Sequence, residues 1–145
     1  MSSINIPNHT DKVLDRLLAY LGMDTRKRSV VLRIALAKGI NSGEEYTLPY
    51  FDDTSGREVP MTAVCPSNLR IYFFQSIKQK HGRNFEENEI NKLVRKYLIY
   101  GVAIMEEELN KLDDLDNYLQ FLIEKHQNEF TELSNRNNIK EILGY

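Results

Sequence analysis

The spacing of apolar residues changes period several times along the chain, and each change marks an element. In "SINIP", polar and apolar residues alternate through Ile4 and Ile6 and stop at Pro7, which predicts a short strand of about four residues suited to a sheet edge. The period then becomes helical. Val13, Leu14, Leu17, Leu18 and Leu21 share one face, Asn8 or Thr10 can cap the helix start, and Gly22 suits a left-handed terminus. A second helix follows, capped by Asp24 or Thr25, with Val30, Val31, Ile34, Ala35 and Ala37 as its buried stripe and Gly39 as its end.

Between residues 41 and 65 no period holds. β-formers flank Asp53-Thr54-Ser55-Gly56, while Pro49 and Pro60 limit regular pairing, so the segment reads as an irregular loop or hairpin. Pro66 suits the first turn of a third helix that carries Ile71, Phe73, Phe74 and Ile77 and stops at Gly82. A long fourth helix over residues 86–112 is built on Ile90, Leu93, Val94, Tyr97, Val102, Met105 and Leu109. Gly101 lies inside it. A mid-helix glycine costs about 1 kcal/mol relative to alanine, which predicts close approach of another helix there. Leu115, Leu119, Leu122 and His126 continue at near-heptad spacing in a fifth helix, which ends in "SNRNN" and a short final turn. The predicted fold is mainly α: a compact helical domain over residues 1–112 with a short N-terminal strand and an irregular loop or hairpin at about 41–65. Residues 113–145 form an acidic helical extension packed on the same domain.

Composition narrows the class. A chain of 145 residues, 41% hydrophobic and 28% charged, supports one real core and argues against intrinsic disorder. No apolar run approaches the ~18 residues of a membrane span, and "MSSINIPNHT" lacks the layout of a signal peptide. Cys65 is the single cysteine, which rules out an intrachain disulfide and paired thiolate zinc sites. A cytoplasmic, reducing compartment is the expectation. The net charge of −2 hides a polarity: residues 1–100 hold 15 Lys or Arg against 11 Asp or Glu, and residues 101–145 hold 4 against 10. The larger part of the chain can face a polyanion and its acidic end cannot.

Candidate catalytic groups are sparse. His9, His81 and His126 lie in separate segments without metal-ligand spacing. Cys65 has no nucleophile motif around it, adjacent Asp52 and Asp53 read as turn formers, and no glycine-rich phosphate loop is present. No enzyme, cofactor or metal site is expected. The basic residues are more informative. Arg26, Lys27 and Arg28 stand at the start of the second helix, where the macrodipole disfavours each by about 0.3–1 kcal/mol, and Arg33 and Lys38 follow. Arg83, Lys92, Arg95 and Lys96 form a second cluster. Such groups suit phosphate contacts, which give affinity without base readout, although a merely solvated polar face has the same composition. Strand, helix, turn and helix in about forty residues also matches a ribbon-helix-helix protomer. Its strand, however, offers only Ser2, Ser3 and Asn5 for reading bases.

Two longer stretches, "TRKRSVVLRIALAKGIN" and "LVRKYLIYGVAIMEEEL", resemble the DNA sulfur modification protein DndE family. The first is similar to the family's arginine-containing L-x-R-x-A-L helix, and the second to its later helix built around a glycine. The likeness spans residues 13–109 and carries over Arg33 in "LRIAL" and Gly101 in "LIYGVAI". Where the family often has a His and an Arg just before that glycine, this chain has Tyr97 and Tyr100. The resemblance implies a small, mostly helical, oligomeric, DNA-associated component of the machinery that replaces a non-bridging phosphate oxygen with sulfur, without itself carrying the sulfur chemistry. The reading from the sequence is therefore a non-catalytic, homo-oligomeric subunit of a DNA phosphorothioation complex. Its partners are double-stranded DNA, held by the phosphate backbone, and the other subunits of that complex. The alternatives are a protein-only scaffold, whose basic residues pair with acids, and a ribbon-helix-helix transcriptional regulator.

Overall fold

The computed structural model describes residues 3–135, and within the last helix the side chains of residues 114–116, 121 and 125–135 are left out of the description. The expected final turn, and the side chains of Leu115 and His126, lie outside the described residues. Strand β1 (Ser3–Asn5) leads into α1 (Asn8–Tyr20), a 3-10 turn (Thr25–Lys27) and α2 (Arg28–Asn41). An irregular segment then reaches β2 (Glu58–Pro60), the single-turn α3 (Met61–Val64), α4 (Ser67–His81) and α5 (Glu87–Asn135). The protein is mainly α, as its periodicity predicts. It divides into two compact units with the boundary between Glu108 and Leu109.

Ile4 is buried opposite buried Val59 in the antiparallel pairing of β1 with β2. The irregular 41–65 segment thus contains the strand that β1 needs. In a ribbon-helix-helix protomer the second strand comes from another copy; here the same chain supplies it, although the strand, helix, turn, helix order is present. Gly22 terminates α1 with a φ of 67°. The start of α1 differs from expectation, because neither Asn8 nor Thr10 caps it. Asp53 accepts the Asn8 N–H at 2.9 Å from across the chain, and the Thr10 hydroxyl is buried without a partner among the described residues. A remote carboxylate satisfies the same orphan donors that a local cap would. Asp24 does cap the 3-10 turn, accepting the Arg26 N–H at 2.7 Å.

The buried face of α2 is Val31, Leu32, Ala35, Leu36, Gly39 and Ile40, while Val30 and Ile34 are exposed. This helix is apolar on most sides, so spacing alone could not choose the face. Gly39 and Gly101 choose it. A Cβ on Gly101 would lie 1.6 Å from the Ala35 carbonyl oxygen, and one on Gly39 would lie 1.8 Å from that of Tyr97. The backbones of α2 and α5 touch, which only glycine permits at these positions. Gly101 is the close approach predicted from its cost; Gly39 serves the same contact and ends nothing, since α2 continues to Asn41. Leu14 of α1, Leu36 of α2, and Val94, Leu98 and Ile99 of α5 are all fully buried. Helix α5 also corrects the sequence reading. The break expected near residue 112 is absent because no Gly or Pro occurs between Val102 and Asn135, and Asp113 and Asp114 are too weak as helix breakers to stop a helix already running.

Candidate nucleic-acid interface

The first basic cluster divides where the 3-10 turn becomes α2. Arg26 reaches into solvent beside Asp24, 3.2 Å away, and exposed Lys27 has no side-chain partner among the described residues. Arg28 turns inward. Its guanidinium bonds Asp11 and donates to Asp15 at 2.9 Å. Arg57 completes the group: its Nε lies 3.0 Å from both Asp11 oxygens and its terminal nitrogen 2.6 Å from both Asp15 oxygens. Asp11 and Asp15 are four residues apart on α1 and so share a helical face, to which α2 brings Arg28 and the irregular segment brings Arg57. Burial pushes the Asp11 carboxyl up, but the hydrogen bonds from Arg57 and Arg28 outweigh it and leave the group below the usual carboxylate range. The same hydrogen bonds, from Asp11 first and then Asp15, raise Arg57.

The other cations of α2 also have internal contacts. Arg33 donates from Nε to the Ala63 carbonyl at 3.3 Å, and Lys38 bonds both Glu108 oxygens at 2.8 and 2.9 Å. Arg28, Arg33 and Lys38 are therefore occupied within the chain, while Arg26 and Lys27 present their charge outward.

The second cluster divides in the same way. Arg95 fastens the irregular segment to α5: it donates to the carbonyls of Asn5 at 2.8 Å, Phe51 at 2.8 Å and Asp53 at 3.0 Å, and stacks 5.1 Å over the Phe51 ring. Burial lowers its pKa, opposed by the charges of Asp52 and Asp53. Lys96 lies 3.2 Å from Glu45, which also accepts the Tyr100 hydroxyl at 3.0 Å; these two hydrogen bonds hold Glu45 below its ordinary value. Arg83 stands 4.2 Å over Phe85 and 3.7 Å from Glu89. Lys92 alone of this cluster is exposed with no partner among the described residues, and it borders a shallow cleft of about 250 Å³ with Ser3, Asn5, Thr54, Asn91 and Arg95. Tyr97 and Tyr100, the departures from the family pattern, are structural: Tyr97 pairs with His81, and Tyr100 with Glu45. Burial and the nearby Lys96, Lys80 and Arg83 charges hold His81 below its usual pKa, so its ring is neutral at pH 7.

The groups dismissed as chemistry have other roles. Burial pushes Cys65 up to about 11, so its thiol is protonated and unreactive at neutral pH. Asp53 is occupied by Asn8 and Ser55. No group of three or more His, Cys, Asp or Glu side chains among the described residues could hold a metal. No helix among them is long and apolar enough to cross a membrane. The sequence reading missed Asp11, Asp15 and Glu45 as the carboxylates that absorb the cations, and Arg57 as a second cation on the first two. The four-residue spacing of Asp11 and Asp15 was the one available signal.

No family model matches the chain, and no curated protein matches its sequence. Among solved structures it is similar to the crystal structure of DndE from Escherichia coli B7A, a protein involved in DNA phosphorothioation modification. The TM-score is 0.53 at 16% identity, over 72% of this chain and 96% of that one. At that identity the likeness is one of fold, and it extends over nearly the whole of the DndE chain.

Proposed function

We propose that this chain is a non-catalytic, homo-oligomeric DNA-binding subunit of a cytoplasmic DNA phosphorothioation system that holds duplex DNA by its phosphate backbone. The observation that carries the proposal is the fold shared with a phosphorothioation protein over 96% of that protein's length. The distribution of solvent-exposed charge refines it. Arg26, Lys27 and Lys92 are the cluster residues best placed to meet phosphates, since their neighbours Arg28, Arg33, Lys38, Arg95 and Lys96 are engaged within the chain. Solvent-exposed Lys and Arg side chains suit phosphate oxygens and give affinity without base readout.

The test is duplex binding by the purified full chain across a salt series. Replacing Arg26, Lys27 and Lys92 with Gln together should weaken binding and flatten the slope of log affinity against log salt by roughly 0.9 for each phosphate no longer neutralised. Unchanged affinity and slope would remove these residues from the interface. A second reading, a scaffold that recruits protein partners, is favoured by the pairing of Lys38 with Glu108 and of Lys96 with Glu45. Absence of duplex binding even at low salt would favour the scaffold.

A further inference from the structure

Helix α4 and the distal part of α5 carry the most exposed large apolar side chains among the described residues, and the two are opposite in charge. Helix α4 carries six apolar residues, Leu69, Ile71, Tyr72, Phe73, Phe74 and Ile77, of which Ile77 alone is buried. Ile71 and Tyr72 are 63% and 69% exposed, unusual for large side chains on a helix that belongs to a packed unit. Every charged residue of α4 is basic or histidine: Arg70, Lys78, Lys80 and His81. Lys78 lies two turns beyond Ile71 and shares its stripe. Lys80 is used internally, donating to the Ile40 carbonyl at 2.8 Å.

The distal part of α5 is the counterpart. Leu112, Leu119 and Ile123 recur at seven and four residues, which sets them on one stripe, and Leu119 and Ile123 are 47% and 58% exposed. Between residues 109 and 135 the sequence holds six acidic residues against two basic ones. Asp113 and Glu124, both exposed, fall beside the stripe by helical spacing. An acidic helix with an uncovered apolar stripe gains little from pairing with an identical helix, because flanking carboxylates then face carboxylates. A basic helix with exposed Ile and Tyr offers both the apolar area and the opposite charge. Ile71, Tyr72, Leu119 and Ile123 are all exposed, so each surface has apolar area to offer a second molecule.

We infer that the acidic distal part of α5 in one copy docks on α4 of a second copy, apolar stripe against Ile71 and Tyr72, with Asp113 and Glu124 meeting Arg70 and Lys78 of α4. Exchange of two such arms between two copies makes a closed dimer with each contact formed twice. The inference rests on the oligomeric part of the reading above and is independent of its DNA part.

The test is the solution mass of the full chain by sedimentation, with helicity and the unfolding midpoint measured alongside and duplex binding followed separately. The wild-type protein should sediment at twice its 17.0 kDa or at a higher assembly. Ile71→Glu with Tyr72→Glu, and separately Leu119→Glu with Ile123→Glu, should each shift the mass toward the single chain and weaken association at least tenfold. All four substitutions lie at exposed positions, so the helical signal should persist. The decisive arm is mixing. The α4 variant retains a good arm and the α5 variant a good dock, so the mixture should recover an assembly that neither forms alone. A wild-type monomer at tens of micromolar would overturn the inference, as would an α4 variant that keeps wild-type mass, the result expected if α5 pairs with itself. Loss of duplex binding by the α4 variant at unchanged mass would also overturn it, making α4 a nucleic-acid face. Loss of duplex binding by the Arg26, Lys27 and Lys92 variant at normal mass leaves the inference standing, so the two readings fail separately.

Discussion

Helix α2 is held at its two ends by opposite physics. Toward its C-terminus, Gly39 and Gly101 bring the backbones of α2 and α5 into contact with no room for a methyl group. At its N-terminus Arg28 is fixed by charge, inside a group of four ionised side chains with Asp11, Asp15 and Arg57. A close-packed crossing responds to volume rather than to pH, because the contact itself is backbone against backbone. A charge group responds to protonation and tolerates modest changes in shape. The difference decides which perturbation each region feels, and it separates structural cations from those free to meet a ligand.

The largest effect should come from the crossing. Gly101→Leu places several atoms where the Ala35 carbonyl already sits, and overpacking of this kind costs about 1–3 kcal/mol or more. Because the clash begins at Cβ, Gly101→Ala should already destabilise the protein despite alanine's better helix propensity. Urea unfolding checks both. An alanine variant as stable as wild type would show that α2 and α5 part easily and that the crossing is not the fulcrum of the unit.

Asp11→Asn comes next, at about 2 kcal/mol. A fully buried pair broken on one side costs about 3–5 kcal/mol, and partial exposure of Arg57 and Asp15 reduces this. Here pH sharpens the comparison. The folded pKa of Asp11 lies below the unfolded value, so its contribution to stability is fully present above about pH 3.9 and is lost as pH falls through the folded value. The gap between wild type and Asp11→Asn should therefore close under acid, while the gap between wild type and Gly101→Leu should not. Unfolding midpoints measured from pH 7 to pH 3 distinguish the two. Parallel curves for all three proteins would mean that the carboxylate contributes no net stability.

These two regions also show what the sequence could and could not disclose. Gly101 was legible because a glycine in a long apolar helix is costly and needs a reason. Val13, Leu14, Leu17 and Leu18 were legible because one face of α1 is clearly apolar, and all four are buried. The face of α2 was not, since Val30 and Ile34 are as hydrophobic as Val31 and Ala35 and only the partner helix decides among them. The strand β2 was hidden for a related reason: three residues ending in proline carry no period, and their pairing is set by Ile4 far away in sequence. Among the cations, Arg26, Lys27 and Arg28 are chemically equivalent in the sequence. Only the tertiary placement of Asp11, Asp15 and Arg57 separates the third from the first two. The spacing of Asp11 and Asp15 announced a pair of carboxylates on one face of α1 but not the residue they would hold.

Arg28→Gln and the double variant Arg26→Gln with Lys27→Gln carry the comparison to its smallest effect. Arg28→Gln leaves Asp11 with Arg57 alone and should cost about 1–2 kcal/mol, less than a fully buried pair because the group is open on one side. Arg26 and Lys27 touch no buried group, and cations at a helix start work against the macrodipole, so their removal should change stability by less than about 0.5 kcal/mol and in the favourable direction if at all. Duplex affinity should rank the other way. The double variant should lose salt-dependent binding while its unfolding curve stays in place, whereas any loss of binding by Arg28→Gln should track its loss of fold and recover when the measurement is made at a temperature where it is fully folded. A double variant that is clearly destabilised would place Arg26 and Lys27 among the structural cations. Their position at the start of α2 would then need an explanation inside the fold, with no anionic partner invoked.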